Sequence, residues 1–141
     1  MTPPRAEPAP DLRAGWSHLA RREWFEAHEA WELEWKRLAH GSERRALQGL
    51  IHLAVALEHR RRGSARSASG QWAKARDKLA DGLPWPTVDL ARLLGEAAAW
   101  LDDPASPERA GREPDLAWVL ESQIAPEPVS ELPDDEPLPP A

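Results

Sequence analysis

Two side chains with the capacity for chemistry stand one helical turn apart in the run Trp24-Phe25-Glu26-Ala27-His28-Glu29-Ala30-Trp31-Glu32-Leu33-Glu34-Trp35. They are His28 and Glu32. Set on a helix at about 100° per residue with His28 at 0°, the run places Trp24 near −40°, Phe25 near +60°, Trp31 near −60°, Glu32 near +40° and Trp35 near −20°. Glu26, Ala30, Leu33 and Arg37 fall on the opposite side. An imidazole and a carboxylate thus share an aromatic stripe, and polar groups buried there need partners. At this spacing both can reach one divalent metal ion, and a third ligand would complete a site of two histidines and one carboxylate. They can equally satisfy each other as a hydrogen-bonded pair that fixes how helices pack. Glu29, near +100°, stands at the edge of the stripe, within reach of a site mouth. The pair His28-Glu29 does not open a zincin motif, because HExxH needs a second histidine where Glu32 stands.

The element that must face this stripe comes next in the chain. Leu47-Gln48-Gly49-Leu50-Ile51-His52-Leu53-Ala54-Val55-Ala56-Leu57 is apolar almost all round, which predicts a central, buried helix. Its polar side chains are Gln48 and His52, and His59 follows. A short turn near residues 41–42 makes the two helices antiparallel neighbours. Trp24 then lies opposite His59, His28 opposite Val55, Glu32 opposite Ile51, and Trp35 opposite Gln48. One helical turn rises only about 5.4 Å, so His52 and His59 both come within about a turn of His28. The candidate metal ligands are therefore His28, Glu32, His52 and His59, with Trp35, Gln48, Trp24 and Glu29 in support. The Trp35 indole N–H needs an acceptor, expected from Glu32 or the facing helix.

The remaining elements follow from caps and breaks. Asp11 is expected to cap a first helix over 12–20, and the stripe occupies a second over about 23–39. Gly41 suits a left-handed position closing that helix, and Ser42 a cap for the third, about 43–62. The Ser/Gly-rich stretch 63–70 reads as a loop, with a fourth helix at about 70–81. Thr87 is expected to cap a fifth over about 88–102, and 115–124 to form a last short one. The expected fold is all-α, a bundle of five to six helices over 11–125. Residues 1–10 and the acidic, Pro-rich 126–141 are expected to be disordered.

Composition narrows the chemistry. There is no cysteine, which removes disulfides, thiolate zinc sites and cysteine nucleophiles. No P-loop, GxGxxG motif or nucleophile elbow occurs. No apolar run reaches the roughly 20 residues of a membrane span, and the N-terminus lacks a signal-peptide core, so the expected setting is the cytoplasm. The net charge is −6, but Glu127, Glu131, Asp134, Asp135 and Glu136 place five negative charges in the tail. The folded part is close to neutral, which argues against a nucleic-acid binder driven by bulk charge. A basic stretch remains at Arg60, Arg61, Arg62, Arg66, Lys74, Arg76 and Lys78, and reads first as a solvated helix end. There are eight tryptophans, most of them expected in the core. Trp16, Trp24, Trp72 and Trp85 are the candidates for an exposed self-association surface.

His28-x-x-x-Glu32-x-x-Trp35 resembles the HxxxExx(W/Y) signature of the domain of unknown function 309 family, and Phe25-Glu26-Ala27-His28-Glu29 is similar to its lead-in. The run from Leu47 to Leu57, with His59 and Arg61-Arg62-Gly63 after it, is similar to the family's second block. The resemblance covers about residues 12–81. It implies a small helical domain of unestablished biochemistry, whose signature has been suggested to bind metal and whose members have been labelled predicted metal-dependent hydrolases. The chain departs from the pattern at His52, where the family usually has Gln, and at Ala20-Arg21-Arg22, where it often has Asn and Gly. Two functions are therefore carried forward. One is a His/Glu polar or divalent-metal site between helices two and three, with hydrolysis by metal-activated water as the reaction class. The other is a non-catalytic interaction or oligomerisation module with a structural His–Glu pair. A small-molecule ligand or a second copy of the chain is the expected partner.

Overall fold

The computed structural model describes residues 10–85, 88–102 and 113–124. Within them the regular structure is helical: α1 (Arg13–Ala20), α2 (Trp24–Arg37), α3 (Ser42–Arg61), α4 (Ala65–Lys78), α5 (Leu90–Leu101) and α6 (Trp118–Ile124). No strand occurs among the described residues. The all-α bundle is as expected. The segments 1–9 and 125–141 lie outside the described residues.

α3 is the axis. Leu47, Leu50, Leu53, Ala54 and Leu57 are fully buried on it, and it packs against α2, α4 and α5. α1 lies across α2 and also meets α6, whose Val119 enters the core beside Leu116. No helix among the described residues is long and apolar enough to cross a membrane.

The buried face of α2 differs from the expected stripe. Trp24, Ala27 and Trp31 are buried, and Leu38 follows just beyond the helix. On the same wheel their centre lies near −70°, not at His28. Phe25, on the other flank, is 44% exposed. His28 and Glu32 therefore sit at the shoulder of the α2–α3 contact rather than inside it.

Several boundaries move for local reasons. α2 ends at Arg37 because Leu38 turns extended (ψ 140°). Gly41 does not close α2; it precedes α3 with φ 149°, and no side chain caps the helix, so Ser42 is its first residue rather than its cap. α4 begins five residues before the expected start, at Ala65. Ala68 and Ala75 are buried against the core and let α4 lie close to α3, so packing overrides the loop-like Ser/Gly composition. Asp89, not Thr87, caps α5: its carboxylate accepts from Arg92 N–H at 3.1 Å. Thr87 lies outside the described residues.

Five of the eight tryptophans are core, and Trp35, Trp85 and Trp118 pack partly buried against it. Trp16, Trp24 and Trp31 are fully buried, and Trp72 and Trp100 nearly so. This removes Trp16, Trp24 and Trp72 from the expected self-association surface. The basic stretch is divided. Arg61 stacks on Trp24 and Arg76 on Trp72, while Arg61 and Arg62 both bind the buried carboxylate of Glu58. These two bonds outweigh burial and hold the Glu58 carboxyl below its ordinary range.

The α1–α2 turn carries one strained residue. Arg22 has φ 64°, a left-handed conformation that costs about 1–2 kcal/mol for most residues and is tolerated by Asn. Its carbonyl accepts from Arg61 at 2.7 Å, which ties the turn to the end of α3. Arg22→Asn is expected to raise stability by about 0.5–1 kcal/mol in urea unfolding. A lower midpoint would mean that the Arg22 side chain, 3.8 Å from Glu113, matters more than its backbone.

Candidate functional site

Three helices build one cleft. α2 contributes His28, Glu32 and Trp35; α3 contributes Gln48, Ile51, His52 and Val55; α4 contributes Gln71. Its volume is about 240 Å³, at the small end for ligand pockets. The i, i+4 and i, i+3 spacings on α2 and α3 put these side chains on facing shoulders. Gln71 reaches them because α4 starts early and runs close beside α3.

The polar groups engage each other only in part. His28 Nδ1–H donates to the Phe25 carbonyl at 3.3 Å, one turn back on its own helix. In the neutral ring this leaves Nε2 as an acceptor. Nε2 lies 3.8 Å from Glu32 Oε1, too long for a hydrogen bond. The side chains are 21% and 42% exposed, so both are open to solvent and to a ligand. Two acceptors at that separation suit a donor shared between them.

His52 is held differently. Its Nδ1–H donates to Gln71 Oε1 at 2.7 Å, which joins α3 to α4. Nε2 is then its acceptor. Burial is the main cause that holds His52 below the ordinary histidine range; Lys74 and Lys78 act in the same direction, and the Gln71 bond opposes them. The ring is therefore neutral at pH 7. His28, Glu32 and His52 offer acceptors to the cleft, two imidazole nitrogens and a carboxylate, while the Gln48 and Gln71 amides add N–H donors, over an apolar floor of Ile51 and Val55.

The structure brings His28, Glu32, His52, Gln48 and Trp35 together. It leaves three other candidates outside. His59 lies about 10 Å further along α3 than His52, and its Nδ1 is buried without a partner. Trp24 is buried against Trp100, with ring centroids 5.7 Å apart. Glu29 is exposed beyond the cleft. Trp35 Nε1 finds no acceptor, neither Glu32 nor a group on α3; its ring instead lies under Arg44, 3.9 Å from the guanidinium carbon. Among the described residues, no three His, Asp or Glu side chains gather as a metal-binding group. His28 and Glu32 alone fall short of the three protein ligands of a catalytic zinc site.

A family model described as a domain of unknown function (DUF309) matches residues 12–70. The match takes in α1 to α3 and the first six residues of α4, and stops one residue before Gln71. No curated protein and no solved structure matches the chain.

Proposed function

Over residues 12–70 the chain belongs to the domain of unknown function 309 family, and from that premise we propose that it binds a small, hydrogen-bond-donating molecule in the cleft between α2, α3 and α4. The observation that carries this reading is the set of acceptors at His28, Glu32 and His52 lining one pocket with Trp35, Ile51 and Val55. A primary amine or a polyol supplies the complementary donors. The open Glu32 carboxylate favours the amine. No catalysis is needed for this role.

The test is an NMR titration of labelled protein with ethanolamine, with glycerol, and with Mn²⁺ as a separate arm. Saturable amide shifts confined to the turns around His28, Glu32, His52 and Gln71 are expected with the amine. Glu32→Gln should weaken that binding about tenfold, the loss of one charge-assisted hydrogen bond. Shifts without saturation, or an unchanged affinity in Glu32→Gln, would overturn the reading. Line broadening by Mn²⁺ centred on His28 and Glu32 would instead make a metal ion the occupant.

A second reading has its own observation. The His52–Gln71 bond links two helices, as a purely structural network would. If no probe binds and His52→Ala still lowers the melting temperature, the polar cluster serves packing, and the chain is an interaction module.

A further inference from the structure

We infer that the corner between α2 and α3 holds a second site, one that takes a compact oxyanion of the phosphate class. Its pocket has a volume of about 440 Å³, with side-chain walls from Trp35, His40, Arg44, Arg45, Gln48 and Lys78. No carboxylate lines it. The cleft described above carries the Glu32 carboxylate; this pocket carries positive charge.

Each cation is placed by a contact or by its helix. The Arg44 guanidinium lies 3.9 Å over the Trp35 ring and gives one N–H to the Leu38 carbonyl at 2.8 Å. Its other N–H groups remain for a ligand. Arg45 is anchored by the Asp77 carbonyl and carboxylate, at 3.0 and 3.2 Å. Asp77 thus offsets Arg45. No carboxylate among the described residues pairs with Arg44 or with Lys78. Like charges gathered without a counter-ion repel, and an anion between them relieves this. A planar guanidinium held on an aromatic face is pre-organised for the oxygens of a phosphate group.

The start of α3 adds to the positive field at the same place. Gly41 lines the pocket and begins α3 at φ 149°, and no side chain caps that helix. The pocket therefore opens at the positive end of a 20-residue helix. Trp35, in the wall, keeps its indole N–H buried and holds the Arg44 guanidinium on its ring. An oxyanion here accepts from Arg44 and Lys78 and lies in the field of the α3 N-terminus. The inference does not depend on what fills the neighbouring cleft.

The experiment is a titration of labelled full-length protein with inorganic phosphate, at ionic strength held constant with chloride. Saturable shifts are expected at the amides of Gly41 to Arg45 and at the Trp35 indole. Lys78→Gln and Arg44→Gln should each weaken binding about tenfold or more. Arg66→Gln, exposed near the start of α4, should leave it unchanged. Glycerol 3-phosphate forms a second arm. Tighter binding than phosphate would make a phosphoester the source of the anion; equal binding would make it free phosphate. Arg44 also supports the α2–α3 turn, so if its variant unfolds, Lys78→Gln carries the test alone. Shifts no larger than those of chloride, or full affinity in Lys78→Gln, would overturn the inference.

Discussion

Gly15→Ala is expected to lower stability by about 1–3 kcal/mol, although alanine is the better helix former. A Cβ built on Gly15 meets Nε1, Cε2 and Cδ1 of Trp31, each under 3.0 Å. Trp31 has no room to retreat. It is fully buried, stacks edge-on to Trp16 with centroids 4.9 Å apart, and donates its indole N–H to the Leu12 carbonyl at 3.2 Å. A methyl group here either forces α1 off α2 or swings the indole and breaks that bond. Overpacking costs about 1–3 kcal/mol, the lost buried hydrogen bond about 1 more, and the helix preference returns about 1 at most. Urea unfolding measures the sum. Gly95→Ala is the control, since nothing lies within 4 Å of a Cβ there and the same exchange in α5 should stabilise. If Gly15→Ala matched Gly95→Ala, the close approach of α1 to α2 would be refuted.

Neither Gly15 nor the tilt of α2 shows in hydrophobic periodicity, and both have the same cause. A wheel weighs large apolar residues and ignores small ones. Ala27 pulls the buried face of α2 toward Trp24 and Trp31, and Gly15 lets α1 reach it there. Centring the stripe on His28 therefore put two half-exposed groups in the core. The antiparallel register, by contrast, depends only on turn length and rise per residue. It set Glu32 opposite Ile51, His28 opposite Val55 and Trp35 opposite Gln48, and all six line one cleft. His59 shows the limit of angular reasoning. It shares a face with His52 but stands two turns along, and angle carries no height. Gln71 was hidden by composition: Ser/Gly richness marked 63–70 as a loop, which put Gln71 at a helix end instead of in the second turn of α4.

The two pockets share Trp35 and Gln48 yet differ in sign. The difference traces to one helix. α3 carries Arg44 and Arg45 in its first turns and His52 two turns later, so donors and acceptors are sorted along its length. Lys78, at the end of α4, adds to the basic corner while its field reaches His52 and favours the neutral ring. A site built this way depends on the spacing between α3 and α4.

Gly49 controls that spacing, and Gly49→Ala is expected to cost about 1–3 kcal/mol. A Cβ there meets Leu79 Cγ at 2.6 Å, Leu79 Cδ2 at 3.0 Å and Lys78 Cβ at 3.1 Å. Leu79 is buried, so it moves only if the end of α4 moves with it. Lys78 would then shift from the corner pocket, and the strain would reach the His52–Gln71 bond two turns up α4. The critical variant is the double one. Leu79→Ala alone opens a cavity and should cost about 2–4 kcal/mol. With Gly49→Ala it should recover part of that loss, because the new methyl occupies space the leucine has left. A coupling of at least about 1 kcal/mol in the favourable direction is expected from the four proteins in urea. Additive effects would mean that the two helices do not touch at this point. Phosphate affinity in Gly49→Ala, measured where the variant is still folded, should fall with the displacement of Lys78 and return in the double variant.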